Sequence, residues 1–348
     1  MALMQTHPKV WENPMAKASR PTTRRLQQMV RAYREAGALM AAVELGLFTH
    51  IANGADDEVS LTKAMGLQPL HGERIIIAML GLGLLKRSGG KLILVEDVER
   101  YLVEGKPTYA GEWMLFTKPD WDEWGRLSTI LQEQAPPLLE NKTVAGITIE
   151  EARRYHRGTY SIGRGAGRLF LNQVDLTGKT LLMDIGGGSG AYCIEACNRY
   201  PDLKAIVLEM PAVVPVTQEF IDESGLTDRI EARVCDFNHD PFPDGADVAV
   251  MASNLPMYGR EAIGAVVGKA YKAMASGGTF HLIGEALDPD RSGPADPALW
   301  GLAQAINNTT GIAHSVAEVE DYLTSAGFNG VHTTGFVEGI LQRTTGTK

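Results

Sequence analysis

The spacing of apolar residues changes character partway along the chain. From about Thr22 to Val103 they recur every three or four positions. In "RRLQQMVRAYREAGALMAAVELGLFTHI" they fall at Leu26, Met29, Val30, Tyr33, Ala36, Leu39, Met40 and Val43, a period that gathers them on one face of a helix. Beyond about residue 176 the apolar runs become short and continuous: "TLLMDIG", "KAIVLEM", "RIEARVCDF", "ADVAVMA" and "GTFHLIGEAL". Each has the length of a buried strand and helical stretches separate them, which predicts β-α-β alternation and a parallel doubly wound sheet. Between the two regions lie an aromatic cluster (Trp113, Phe116, Trp121, Trp124), a break at Pro136–Pro137 and one long helix, "TIEEARRYHRGTYSIGRGAGRLFLNQV". The pattern predicts an α/β chain in three parts: a mainly helical domain over 1–105, linker and helices over 106–175, and a doubly wound domain over 176–348.

Within the helical part, "SLTKAMGLQPLHGERIIIAMLGLGLLKRSGGKLILV" reads helix, turn, helix, Gly-Gly turn and short strand, the outline of a winged-helix unit. Such units touch DNA through a polar recognition helix. Here the helix in that place, "HGERIIIAMLGLGLL", is mainly apolar, so burial or contact between two copies is expected in place of DNA. The charge balance agrees. With 33 basic and 42 acidic residues the net charge is −9, which argues against nucleic acid or an anionic membrane as partner.

The three thiols, Cys193, Cys197 and Cys235, form no C-x-x-C pair, and the first two sit one helical turn apart. Core packing in a reducing cytoplasm is the expectation. No apolar leader is seen at the N-terminus, and no run approaches the ~18 apolar residues of a membrane span. The sequence therefore reads as a soluble, cytoplasmic protein. No His and carboxylate spacing points to a metal.

The candidate chemistry starts at "LLMDIGGGSGAYCIEA", a buried strand, a glycine-rich turn and a helix start. Glycines let the backbone turn tightly against a ligand, and the helix N-terminus offers free N–H groups. Gly186, Gly188 and Ala191 satisfy the general dinucleotide fingerprint, though a tight turn needs no more than this. The neighbouring strands narrow the reading. Asp184 stands two residues before the first glycine, placed for an ammonium or a bound water. Glu209, followed by Met210, ends the next strand, where an acid takes ribose hydroxyls. Asp236 and Phe237 end the third, where a carboxylate can meet an adenine amino group and a ring can cover the base. A nicotinamide dinucleotide would leave Asp184 and Asp236 without a task. S-adenosylmethionine (SAM) gives each of them one.

These residues resemble a known family, the class I SAM-dependent methyltransferases of the small-molecule O-methyltransferase type. "MAAVELGLFTHI" looks like its dimerisation helix, "MDIGGGSG" like its first SAM motif and "LEMPAVV" like its ribose strand. "RVCDFNHDPFP" looks like its adenine loop, "MASGGTFHLIGE" like its late turn and strand, and "VEDYLTSAGF" like its final helix. The resemblance spans nearly the whole chain. It implies a winged-helix-like N-terminal dimerisation domain, a Rossmann-like C-terminal domain, a homodimer, and SAM contacts at Asp184, Gly186, Gly188, Glu209, Asp236 and Phe237. Met210 and Ser253 are placed to join them.

The sequence departs from the family at "ASNLPMY", residues 252–258, which follows the strand "ADVAVM". The family's usual "LHDW" stands here, and its His removes the acceptor's proton. This chain has Pro256 in place of that His and Tyr258 in place of the Trp.

A hydroxyl acceptor must shed a proton when methylated. A thioether sulfur has none to shed, and holding the atoms in line supplies much of the acceleration. The reading is therefore S-methylation of a small, carboxylate-bearing thioether. It is similar to the bacterial methylthiohydroxybutyrate S-methyltransferases of dimethylsulfoniopropionate synthesis. C-methylation of an activated carbon such as that of a 2-oxo acid, and a SAM-binding enzyme that transfers no methyl, are the alternatives. Tyr258, Tyr160 and His156 are the catalytic candidates. For the acceptor, His156, Arg157, Tyr160 and Arg164 offer a polar helix face that suits a carboxylate, or else a solvated face with salt bridges. Trp113 and Phe116, with Trp121 and Trp124, offer rings to a sulfonium, or else a hydrophobic lid. Gln304 and Asn307, from "LWGLAQAINNTTG", offer hydrogen bonds, or else are ordinary amides near a helix end.

Overall fold

The computed structural model describes residues 21–116, 118–139 and 146–348. The chain divides into two compact units, one ending at Val95 and one running from Glu96 to Lys348, so residues 106–175 fall within the second.

The first unit contains α1 (Arg24–Glu44), α2 (Leu47–Ala52), α3 (Glu58–Ala64) and α4 (Pro69–Gly81). An antiparallel hairpin follows, β1 (Leu85–Ser88) and β2 (Lys91–Leu94), turning at the two glycines. Helix α3 starts on a capping box in which the Asp57 carboxylate accepts from the Val59 and Ser60 N–H groups, satisfying donors that a helix start leaves open. A side chain at Gly72 would run into Thr62, which is why α4 can lie directly against α3. Along α1, Leu26, Met29, Val30 and Tyr33 fall on one face as the spacing predicts, yet all are more than half exposed in the single chain.

In the second unit, short helices fill what reads as linker in the sequence: α5 (Glu96–Tyr101), α6 (Gly111–Met114), α7 (Trp121–Gly125) and α8 (Leu127–Ile130). The long helix α9 (Ile149–Gln173) begins on a second capping box, Thr148 with Glu151. Then come β3 (Leu181–Ile185), α10 (Ala191–Arg199), β4 (Lys204–Glu209), α11 (Val214–Ser224), β5 (Ile230–Val234), β6 (Ala246–Ala252) and α12 (Arg260–Ala273). The chain ends with β7 (Met274–Gly284), α13 (Ala295–Ala303), α14 (Val316–Ala326), β8 (Asn329–Val337) and β9 (Leu341–Thr347).

The sheet order is β5-β4-β3-β6-β7-β9-β8, with β3 to β7 parallel and β9 antiparallel to both β7 and β8. One core, on the face of α9, α10 and α11, includes Phe170, Cys193, Cys197, Val207 and Phe220. The other, under α12 and α14, includes Ile185, Met251, Val267, Phe280 and Leu323. This is the α/β fold expected, with a helical N-terminal region and a Rossmann-like C-terminal sheet. The closing strands β8 and β9 were not foreseen. Arg343, Thr344 and Thr345 are buried on β9, so that strand lacks the apolar run by which buried strands are recognised. Among the described residues no helix is long and apolar enough to cross a membrane.

The chain leaves β3 toward β4 on one side and returns to pair β6 on the other. Such a reversal opens a crevice beyond the carboxyl ends of the two strands, where doubly wound sheets bind ligands. The glycine turn after β3 and the "ASNLPMY" loop after β6 face each other there.

Candidate active site

Gly186 and Gly188 have φ of +67° and +56°, in the left-handed region that glycine enters without strain. The glycine turn is closed in on every side. A Cβ at Gly187 would lie 2.5 Å from the Asp184 carboxyl, and one at Gly188 would lie 2.7 Å from the His156 ring. A Cβ at Gly186 would meet Asn254 at 2.8 Å and Phe237 at 3.1 Å. The Glu209 carboxylate spans the far side, accepting from the Gly188 and Met210 N–H groups, each at 2.8 Å.

Asp184 is 1% exposed. Burial, with the charge of Glu209 adding to it, pushes its pKa up to about 7. Burial also raises Glu209, against the two N–H bonds that favour its charge. Neither carboxylate has an ion-pair partner among the described residues. Asp236 Oδ1 accepts from the Asn238 N–H at 2.9 Å, so this acid shapes its own loop. The Phe237 ring lies 4.9 Å from that of Tyr258.

The loop after β6 is held from both sides. Ser253 has φ +60°, a conformation that costs a non-glycine residue about 1–3 kcal/mol and is kept only where the surroundings impose it. Its N–H donates to the Ile283 carbonyl at 2.9 Å. The Asn254 amide donates to the Ala252 and Gly186 carbonyls at 3.1 and 3.2 Å, tying the loop to the glycine turn. Leu255, Pro256 and Tyr258 are all buried. Tyr258, a catalytic candidate from the sequence, packs its ring into the core beside Phe237.

Two imidazoles reach this region, and neither is suited to take a proton. His314 comes from 56 residues beyond Tyr258, a proximity that no local motif could signal. It is fully buried and both ring nitrogens are engaged, Nε2 with the Tyr258 carbonyl and Nδ1 with the Tyr322 hydroxyl, each at 2.9 Å. It fixes the loop. His156, against the glycine turn, is pushed down to about 4 by burial, which makes it a weak base.

The sequence reading also passed over Glu285, which follows β7. Gly284 backs onto Leu255, where a Cβ would come within 2.9 Å, so Glu285 emerges beside the loop. Burial and the charge of Asp296 raise its pKa. The signal was there: an acid at the carboxyl end of the strand next to β6.

Helix α9 corrects part of the acceptor reading. His156 meets the glycine turn, and its ring lies 4.9 Å from that of Tyr155. Each four-residue step rotates a helix position by about 40°, so Tyr160 and Arg164 turn progressively away from it. Tyr160 packs on Phe220 with ring centroids 4.3 Å apart. Arg157 lies over the same ring at 4.5 Å and pairs with Glu223 at 2.8 Å. Arg164 and Arg168 both pair with Glu195. Arg157 and Arg164 are thus paired with glutamates of α11 and α10, the salt-bridged alternative for this face.

The aromatic cluster is real but differently composed. Trp113 stacks on Phe116 at 5.1 Å, and Phe116 meets Tyr155 edge-on at 5.2 Å and Trp300 at 6.3 Å. Among the described residues no ring contact joins Trp121 or Trp124 to it. Gln304 is buried, donating to the Trp300 carbonyl and accepting from the Thr309 hydroxyl, so it holds the end of α13. Asn307 is half-buried in the same turn. Among the described residues no group of His, Cys, Asp or Glu could hold a metal.

Glycine turn, ribose-type acid and closed loop at a switch point define a Rossmann-like enzyme that works with a nucleoside cofactor. The sequence matches the model of the O-methyltransferase domain over residues 143–329. It is 32% identical over 306 residues to the 3-hydroxy-5-methyl-1-naphthoate 3-O-methyltransferase of Streptomyces sahachiroi, covering 86% of this chain and 87% of that one. It is 33% identical over 165 residues to an L-tyrosine C(3)-methyltransferase of Streptomyces lavendulae, covering 47% of this chain and 45% of that one. In structure it resembles human N-acetylserotonin methyltransferase in complex with SAM. The TM-score is 0.82 at 24% identity, covering 96% of this chain and 99% of that one. The chain belongs to the O-methyltransferase family and is a methyltransferase.

Proposed function

We propose that this methyltransferase takes its methyl group from SAM and passes it to a sulfur with no proton to lose. The acceptor is a small thioether of the methylthio-2-hydroxybutyrate kind. SAM supplies a methyl group carried on a positively charged sulfur. The residues fit such a donor. Asp184 and Glu209 are carboxylates raised by burial and without a cationic partner among the described residues, and a ligand bearing a sulfonium and an ammonium provides that charge. Gly186, Gly188, Asp184, Glu209, Met210, Asp236, Phe237 and Ser253 would hold it.

The observation that carries the acceptor is the packed loop. Pro256 is buried where the family's histidine is expected, His314 is committed at both nitrogens, and His156 is held near 4. On a thioether, one carbon–sulfur bond breaks as another forms, and the positive charge moves from donor to acceptor without any proton transfer. The chain contributes alignment and exclusion of water. With Arg157 and Arg164 turned away, the acceptor's acid end would depend on a neutral donor such as His156.

A second reading rests on Glu285. Its raised pKa makes it a stronger base than an ordinary carboxylate, and one similar protein is a C-methyltransferase. Deprotonation by Glu285 would support C-methylation of an activated carbon. A labelled-methyl transfer screen separates the two. Label is expected on methylthio-2-hydroxybutyrate; transfer confined to 2-oxo acids or phenols would replace the thioether reading. The exposed apolar face of α1 (Leu26, Met29, Val30, Tyr33) supports a homodimer through the first unit. Light scattering is expected to give twice the 37.7 kDa chain mass.

A further inference from the structure

Phe116 is the hub of four aromatic side chains that are not sealed into a core. Phe116, Trp113 and Trp300 are half-buried, and Tyr155 is 41% exposed. The charges that act on the Tyr155 hydroxyl are acidic. Burial of its hydroxyl end raises the Tyr155 pKa, and the charges of Glu209 and Glu285 add to it. Asp296, one turn before Trp300 on α13, acts in turn on Glu285. The Glu285 charge is thus felt at Tyr155, and that of Asp296, on the helix of Trp300, is felt at Glu285. No lysine or arginine pairs with it among the described residues, and Arg153, Arg157, Arg164 and Arg168 of α9 are paired with glutamates on the opposite face of the helix.

Ring faces carry partial negative charge. Together with an uncompensated carboxylate, they repel an anion, give a neutral group no electrostatic advantage, and attract a soft, weakly hydrated cation. A lid for a flat neutral acceptor would need the rings but not the carboxylate.

We propose that Phe116, Tyr155 and Trp300, with the Glu285 carboxylate, form a subsite for a small methylated onium group, a sulfonium or a quaternary ammonium. If the thioether reading is right, the onium is the methylated product. The chemistry of the subsite does not depend on that reading.

The test uses the full-length protein with S-adenosylhomocysteine bound. Calorimetry compares choline with 3,3-dimethylbutan-1-ol, which has the same shape and no charge. Choline is expected to bind about tenfold more tightly or better. Phe116→Leu and Trp300→Leu should each weaken choline about tenfold, and Glu285→Gln should weaken choline while leaving the alcohol unchanged. Unaltered S-adenosylhomocysteine affinity shows that each variant is folded. Equal affinity for choline and the alcohol, or no choline binding by folded protein, overturns the subsite even if thioethers are methylated. Strong choline preference in an enzyme that methylates only hydroxyl acceptors upholds the subsite and overturns the thioether reading.

Discussion

The two walls of the crevice are built on different principles. On the cofactor wall, backbone shape decides. Glycines in left-handed geometry lie against Asp184, His156 and Phe237, and Glu209 takes up two backbone N–H groups. On the acceptor wall, side chains decide. A loop with buried Leu255, Pro256 and Tyr258 stands beside half-exposed rings and a lone Glu285. A backbone cradle tolerates little change, because any added atom meets protein. A wall of side chains can lose a catalytic base and keep its shape. The sequence keeps the family's motifs on the cofactor wall and departs from them in the loop after β6.

Changes to the cofactor wall should be the most damaging. Gly187→Ala drives a methyl group into the Asp184 carboxyl and Val207, and is expected to abolish measurable SAM binding by calorimetry and to lower the melting temperature. Glu209→Gln replaces an acceptor of two N–H bonds with an amide that has only one acceptor oxygen. A loss of about 2–3 kcal/mol in SAM affinity is expected, with acceptor KM little changed.

Asp184 gives that wall a pH signature. Its pKa of about 7 means that the carboxyl gains a proton as pH falls through neutrality. A cationic ligand favours the ionised form, so SAM affinity should fall toward pH 6, by up to about tenfold per unit. Binding near pH 7 should release a fraction of a proton, read by calorimetry in buffers of different ionisation enthalpy. In the free protein the sign is opposite. A carboxyl raised on folding contributes stability at pH below about 4 that is lost as pH rises through 7, so the stabilisation conferred by SAM should widen over that range. Asp184→Asn should flatten both trends.

The smallest effects should come from the basic face of α9. Arg157→Ala breaks a pair with Glu223 that is half-exposed, worth about 1 kcal/mol or less, and acceptor KM should not move. A tenfold rise in KM would put that arginine back at the acceptor.

The sequence makes the cofactor wall far more legible than the acceptor wall, for a physical reason. Strands β3, β4 and β6 are mainly apolar runs, and the glycine turn with Asp184 and Glu209 lies within 26 residues of chain, 184–209. The acceptor wall is assembled from distant segments. Tyr155 meets Phe116, Trp300 comes from the segment between β7 and β8, and His314 reaches back to Tyr258. The arginines of α9 read as a binding face because Glu195, Glu219 and Glu223 cannot be placed opposite them without the fold. Strand β9 escaped notice because its buried residues are polar.

The most direct test of base-free transfer is the proton balance over many turnovers of a catalytic amount of enzyme, where protons exchanged on cofactor binding are negligible. Methylating a hydroxyl by SAM releases one proton for each S-adenosylhomocysteine formed, whereas methylating a thioether releases none. In weakly buffered solution with a pH indicator and methylthio-2-hydroxybutyrate as acceptor, S-adenosylhomocysteine should accumulate with no acidification. One proton released per turnover, or turnover seen only with acceptors that release one, would contradict the account.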